Sequence, residues 1–507
     1  MADGTVVRSG KAEARDWIGL AVLALPCIIY SMDLTVLHLA VPQIAAALRP
    51  SSSELLWIVD IYGFMVAGAL ITMGTLGDRV GRRRLLLIGA AVFGVTSALA
   101  AFSTTPASLI AARALLGLAA ATLAPSTLSL IRNMFHDDRE RALAIGVWVG
   151  CFSVGAAVGP VVGGFILAHY WWGAVFLINI PVMLLLLGVG PYLLRESRDP
   201  DAGRIDLLSA AQSMAAVLAV IYGLKRIAES GFAPLPLFAV GAGVLIGAYF
   251  FQRQSALADP LIDIGLFRIP AFSAALGTNI VALFMVFGTF LFIAQYLQLV
   301  LGMGPLEAGL WTAPSGVVFA LGSVATPFLV RRFEPYIIIS VGFVITAVGF
   351  LVLTQLGAAD GPWVLFLGMM ILCLGVAPTG AITTDIVLAK APPERAGAAS
   401  AISETSFEFG GALGIAVLGS LVTAVYRSAM AGEPLAGVPA PSMAAARDTL
   451  GGAVAVAAEL GDPARAALLG TAREAFVSAF VAASAVSAVS ALVAAVLAVI
   501  TLRNGQR

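Results

Sequence analysis

The chain has 507 residues, 60% of them hydrophobic and 11% charged, with 29 Lys and Arg set against 29 Asp and Glu. Soluble domains carry about 25% charged residues, so a mean hydropathy of +0.98 excludes a soluble enzyme and predicts an all-α, polytopic membrane protein. A net charge of zero gives no basis for nucleic-acid binding, and Cys27, Cys151 and Cys373, each inside an apolar run, read as small core hydrophobes with no disulfide framework.

Residues 1–16 are polar and read as a cytoplasmic amino terminus. The run that follows exceeds a signal peptide's apolar region and lacks a cleavage site, which predicts an uncleaved first helix. Ser9 to Ala12, SGKA, fails as a phosphate loop because Ala12 stands where Ser or Thr is needed. Apolar runs then predict fourteen spans: 17–41, 54–77, 85–103, 107–131, 142–168, 171–194, 207–228, 234–251, 272–300, 305–330, 336–356, 362–388, 397–425 and 474–502. With both termini cytoplasmic, 21 of the 29 Lys and Arg fall on the cytoplasmic side, seven outside and one, Arg113, within a span. That threefold bias is the one expected of a membrane protein in this orientation.

The layout divides into a bundle of six spans over 17–194, an inserted pair with its linkers over 195–271, a second bundle over 272–502 and a tail at 503–507. Paired arginines after span 2 (GTLGDRVGRRR) and after span 10 (ATPFLVRRFEP) suggest a duplicated unit, with a substrate path between parallel halves. The stretch 426–473 holds too many charges to span. It reads as an extracellular helical hairpin, with one helix over 442–459 and a second starting after Gly461-Asp462-Pro463.

Several residues sit where a bilayer makes them costly. Arg113 at mid-span carries an insertion cost of ~2.5–3.5 kcal/mol, so it needs a cavity or a carboxylate, and Asp33 on span 1 is the best partner. Asp60 near the outer end of span 2, and Glu404 and Glu408 four apart on span 13, complete a set of membrane acids. Such groups hold either a proton or a cation, and the two glutamates share a helix face. For Asp60 and Glu404 a wet, interfacial position is the competing reading; for Asp33–Arg113 it is a static pair holding two spans together. Gly155, Gly159, Gly163 and Gly164 give span 5 a small face, bent by Pro160, for close helix packing. Trp57, Tyr62, Phe287, Phe290, Tyr296, Trp311 and Phe407 are candidates for an aromatic cavity, since aromatic faces attract delocalised cations. No metal-ligand cluster or nucleophile motif stands out, so no cofactor beyond the proton is expected.

The segment Gly74-x-Leu76-x-Asp78-Arg79-x-Gly81-Arg82-Arg83 resembles the loop signature of the major facilitator superfamily. Leu109 to Ala121, with Arg113 and Gly117, resembles its fourth-helix motif, and Gly155 to Gly164 its antiporter motif on the fifth helix. Met32-Asp33-Leu34-Thr35-Val36 with Pro42 is similar to the first-helix motif of the fourteen-span drug–proton antiporter branch. Trp57-Ile-Val-Asp60-Ile-Tyr62, the span 13 acids and the long last loop resemble its exporters of quaternary ammonium compounds and methyl viologen.

The resemblance implies two six-helix bundles plus an inserted pair, in a bacterial plasma membrane, working as a monomer without an obligate protein partner. It implies a conformational latch at Gly74, Asp78, Arg79, Gly81 and Arg82, and a gating seal at the fifth-helix glycines and Pro160. Asp33, Asp60, Glu404, Glu408 and Arg113 would couple protons to lipophilic mono- and divalent organic cations, including dyes and biguanides. Competing readings are an exporter of neutral or zwitterionic, tetracycline-like solutes, a proton-coupled uptake symporter and a non-transporting sensor.

Overall fold

The computed structural model describes residues 12–198, 206–230, 233–257, 260, 262, 264–358, 361–390, 396–432 and 438–504. Among these residues there is helix and no strand. The first bundle comprises α1 (Ala14–Leu48), α2 (Ser52–Val80), α3 (Arg82–Ala101), α4 (Pro106–Met134), α5 (Asp138–His169), the short α6 (Ala174–Leu177) and α7 (Asn179–Leu193). The inserted pair is α8 (Leu207–Ser230) and α9 (Pro234–Ala256). The second bundle comprises α10 (Pro270–Gln295, extended by a π-helical turn Tyr296–Val300), α11 (Pro305–Val330), α12 (Pro335–Leu353), α13 (Trp363–Lys390), α14 (Ala396–Ala429) and α17 (Ala464–Asn504), with α15 (Ala440–Asp448) and α16 (Leu450–Ala458) between the last two.

Local chemistry starts and stops these helices. Ser51 and Glu54 form a reciprocal cap at the head of α2, and Thr105 with Ser108 does the same for α4, where Pro106 takes the first turn. Prolines likewise open α9, α10, α11 and α12. Gly81, at φ 114°, makes the sharp break between α2 and α3. Among the described residues, thirteen helices are long and apolar enough to cross a membrane. The remaining expected span, α8, has a shorter apolar stretch, Leu208–Gly223, because Lys225 and Arg226 follow it.

The two bundles repeat one packing scheme. In the first, α1 packs on α5, α2 on α4, and α3 on α4 and α7; in the second, α10 packs on α14, α11 on α13, and α12 on α13 and α17. Small residues permit this closeness: a Cβ on Gly342 would lie 2.5 Å from the Gly375 carbonyl oxygen, across α12 and α13. The bundles meet through α5–α11, α2–α14 and α1–α10, while α8 lies against both α2 and α14 along the seam.

These crossings identify two ends of the molecule: a basic end, where the Arg82–Arg84 turn lies, and a far end. Toward the far end the bundles touch closely. A Cβ at Gly164 would lie 2.6 Å from the Pro305 carbonyl oxygen, one at Gly316 2.7 Å from Ala157 Cα, and one at Gly419 2.5 Å from Leu56 Cδ2. Toward the basic end, Gly146 and Gly150 of α5 face open space among the described residues. The bundles are closed at the far end and part toward the basic end.

Two expectations for 426–473 need correction. The helix anticipated over 442–459 breaks at Thr449, whose extended backbone (φ −146°, ψ 154°) lets its hydroxyl cap α16 by accepting the Gly452 N–H at 2.9 Å. The helix after Pro463 is no separate hairpin arm, because α17 runs unbroken from Ala464 to Asn504. The α15–α16 segment lies across the far end of both bundles, against α1 of the first and α14 and α17 of the second. Asp448 accepts hydrogen bonds from Ser52 N at 2.7 Å and Ser52 Oγ at 3.1 Å, and pairs with Arg427 of α14. The exposed Arg49–Glu459 pair nearby adds little, as surface ion pairs contribute ~0–1 kcal/mol.

Candidate functional site

Arg113 on α4 is fully buried and spends its donors on two neighbouring helices. Nη1 donates to Asp33 Oδ2 on α1 at 2.6 Å, Nε to the Ile58 carbonyl at 3.1 Å and Nη2 to the Val59 carbonyl at 3.3 Å on α2. The guanidinium carbon lies 4.8 Å from the centroid of the Tyr62 ring, a desolvated cation–π contact that adds roughly 2 kcal/mol. Gly117, one turn along α4, allows this approach, since a Cβ there would sit 2.5 Å from the Tyr62 carbonyl oxygen. Asp60 is 1% exposed, so the wet, interfacial reading of that acid is wrong.

Glu404 and Glu408 are both half-buried on α14. Glu408 crosses the seam between the bundles: Tyr30 on α1 donates to its Oε1 at 2.5 Å, and its Oε2 lies 3.9 Å from where a Cβ on Gly63 of α2 would stand. Tyr30 in turn packs 6.1 Å, centroid to centroid, from Tyr62 and 5.7 Å from Phe152. A continuous run of contacts therefore joins Asp33, Arg113, Tyr62, Tyr30 and Glu408. Tyr30 had no flag in the sequence, as a tyrosine in an apolar helix carries no spacing signal.

Beside this run lies a cavity of about 300 Å³ between the bundles. Its first-bundle wall includes Ser31, Thr35, His38, Phe152 and Pro160; its second-bundle wall includes Phe287, Phe290, Phe319 and Phe407. The lining is mostly apolar and aromatic and includes no carboxylate among the described residues; Glu408 adjoins the lining residue Phe407 in sequence. The volume lies at the lower end of the ~300–1,000 Å³ typical of small-molecule sites. Three of the seven aromatic candidates, Phe287, Phe290 and Phe407, line it. Tyr62 is behind the wall against Arg113. Trp57 packs with Phe64 and Ala412, Tyr296 donates to the Gly357 carbonyl at 2.8 Å, and Trp311 stacks edge-on with Trp363 and Phe366. These last three belong to packing and not to the cavity.

The fifth-helix motif divides between two jobs. Gly155, Gly159 and Gly163 face α1 of their own bundle, where added Cβ atoms would meet Ile28, Thr35 and Val36. Gly164 faces Pro305 and Leu306 of α11, and the Pro160 carbonyl faces Gly309. The expectation of one shared face for all four glycines is thus corrected: only Gly164 and Pro160 meet the second bundle. Replacing Gly164 with Val is expected to cost about 1–3 kcal/mol of packing between the bundles. Vesicles holding that variant should lose an imposed pH gradient faster without substrate, whereas Gly155→Val should lower protein yield without a leak. A tight Gly164→Val would contradict this division.

At the basic end, Glu196 caps α3 by accepting from Arg83 N at 2.9 Å and Arg84 N at 3.2 Å, and Arg82 N donates to the Ser197 carbonyl at 2.8 Å. Arg82 is buried, Arg79 is exposed and Gly74 faces Pro125 of α4. The Asp78 side chain lies outside the described residues.

Residues 23–415 match the family model described as Major Facilitator Superfamily. The chain is 44% identical to the multidrug efflux pump LfrA of Mycolicibacterium smegmatis, over 92% of each chain. It is 35% identical to the methyl viologen resistance protein SmvA of Salmonella typhimurium, over 91% of this chain and 93% of that one. A crystal structure of a bacterial homologue of the human lysosomal transporter Spinster, in an inward-facing and unoccupied conformation, superposes with a TM-score of 0.68 at 18% identity, covering 97% of this chain and 99% of that one. That likeness concerns the fold.

Proposed function

The chain belongs to the major facilitator superfamily, and from that premise we propose that it is a proton-coupled exporter of lipophilic organic cations. A drug exporter is the class its relatives support. The observation that carries the finer reading is the pairing of an aromatic cavity with acids in both bundles, Asp33 and Asp60 in one and Glu404 and Glu408 in the other. An apolar, aromatic wall suits a lipophilic body, and a nearby carboxylate supplies the attraction for a positive charge. A neutral cargo has no use for that many costly acids.

In this reading the basic end faces the cytoplasm of a bacterial plasma membrane, and both termini lie on that side. The cation enters the cavity from the open basic end while the carboxylates are ionised. The bundles then rock to open the far end, where protons reload the acids and release the cargo. Arg113 holds Asp33 in place and competes with the proton for it. The protein works as a monomer, with the proton as coupling ion and no other cofactor.

Ethidium efflux from energised cells tests this, for the native protein and Asp33→Asn, with an uncoupler as control. Asparagine still offers an oxygen to Arg113 Nη1, so the variant removes the charge while leaving the hydrogen bond. Uncoupler-sensitive efflux that is lost in Asp33→Asn at normal protein level is the expected result. Efflux that survives the uncoupler, or is unchanged by Asp33→Asn, would overturn proton coupling through α1.

A further inference from the structure

We propose that Tyr30 is a positioning residue that locks the two bundles together when Glu408 is ionised and lets them part when that charge is neutralised. This rests on the reading of the chain as a transporter whose bundles move. Tyr30 on α1 and Glu408 on α14 belong to different bundles, and their 2.5 Å hydrogen bond crosses the seam. The phenol has one proton to donate, and the carboxylate accepts it. Hydrogen bonds to an ionised acceptor are roughly twice as strong as neutral ones. Proton uptake by Glu408 therefore weakens the lock without moving any atom first, and a cation drawn to the same oxygens competes for them.

The surroundings leave Glu408 in command of this bond. From α2, Tyr62 packs 6.1 Å from the Tyr30 ring and Gly63 faces the Glu408 carboxylate, with the buried Asp60 one turn from Gly63 and Arg113 against Tyr62 and committed to Asp33. On α14 itself Glu404 is one turn away. From α8, the packing at this seam is apolar, through Val217, Leu218 and Ile221. Asn279 of α10 is tied to Thr383, and Asp385, Lys390, Arg473 and Glu474 of α13 and α17 lie toward the helix ends. The ring of Tyr30 is held by Phe152 and Tyr62, so Tyr30→Phe removes the hydroxyl and retains the packing.

The test reads the far-end separation directly. Spin labels at Thr104→Cys and Gln355→Cys, exposed far-end positions in opposite bundles, are placed in full-length protein whose three native cysteines are alanine. Distances are measured at about pH 8 and about pH 4, on either side of the unperturbed glutamate value of ~4.3. The expected result is a short main distance at the higher pH and a growing longer population at the lower. Tyr30→Phe should raise the long-to-short ratio about tenfold at the higher pH, as loss of a hydrogen bond to a charged group warrants. In a Glu408→Gln background the same change should be less than about threefold, because the acceptor is already neutral.

Tyr30→Phe distances identical to native at both pH values would overturn the lock, and so would an equal tenfold effect in both backgrounds, which would make the hydroxyl a packing element blind to the charge. The distances do not depend on any cargo. A protein that moves with pH but exports no ethidium would refute the cation-export reading and leave the lock standing.

Discussion

Arg113→Met should be the most damaging single substitution in the first bundle: little folded protein in the membrane, and no efflux from what remains. The guanidinium is fully buried and Asp33 nearly so, and removing one partner of a buried pair costs about 3–5 kcal/mol because the other charge is stranded. Here the loss is compounded, since Arg113 also serves the Ile58 and Val59 carbonyls and the Tyr62 face. Adding Asp33→Asn to Arg113→Met removes the stranded charge, so the double variant should melt at a higher temperature than Arg113→Met alone while remaining inactive. Arg113→Lys should recover part of the stability and less of the activity, because an ammonium lacks the planar fork that reaches α1 and α2 together. Thermal unfolding of the purified variants, followed by intrinsic fluorescence, gives the ranking. A double variant no more stable than Arg113→Met would mean that the pair is a docking contact of no electrostatic consequence.

The Asp33–Arg113 pair was legible before any coordinates because cost singles it out. An arginine at mid-span must find an acid, and few acids lie at a matching depth. The same pressure exposed Glu404 and Glu408. Where the residue carries no cost the sequence is mute. Tyr30, Tyr296 and Trp311 look alike in helices that are apolar all round, and only packing shows that the first spans the seam while the others brace a bundle. Period-four glycines announce a close face, yet spacing cannot say which neighbour that face meets; Gly155, Gly159 and Gly163 met α1. Glu196 escaped notice because its partners, Arg83 and Arg84, lie more than a hundred residues away. In the last loop, propensity suggested one helix over 442–459, and a single hydroxyl cap at Thr449 divided it.

Under the proposed function, Glu404→Gln should separate cargo by charge: ethidium efflux largely kept, methyl viologen efflux reduced to near background. The electrical work decides this. Each positive charge moved out against an inside-negative potential costs ~2.3 kcal/mol per 100 mV, so a dication costs ~4.6 and one entering proton returns half. Two titrating acids make the exchange of a dication electrically neutral, whereas one suffices for a monocation. Glu404 and Glu408 lie four residues apart on α14, about 6 Å along the axis at 1.5 Å per residue, near enough to face two positive centres or one shared charge. Glu408 is engaged with Tyr30, and Glu404 makes no hydrogen bond among the described residues, which leaves it the freer of the two to answer a second charge. Efflux of both dyes is measured from energised vesicles with the potential and the pH gradient collapsed in turn. Native dication efflux should depend on the pH gradient and ignore the potential; in Glu404→Gln any residual dication efflux should be opposed by the potential. An equal fractional loss for both cargoes would assign Glu404 to structure, and a potential-opposed native dication flux would limit the chain to one proton per cycle.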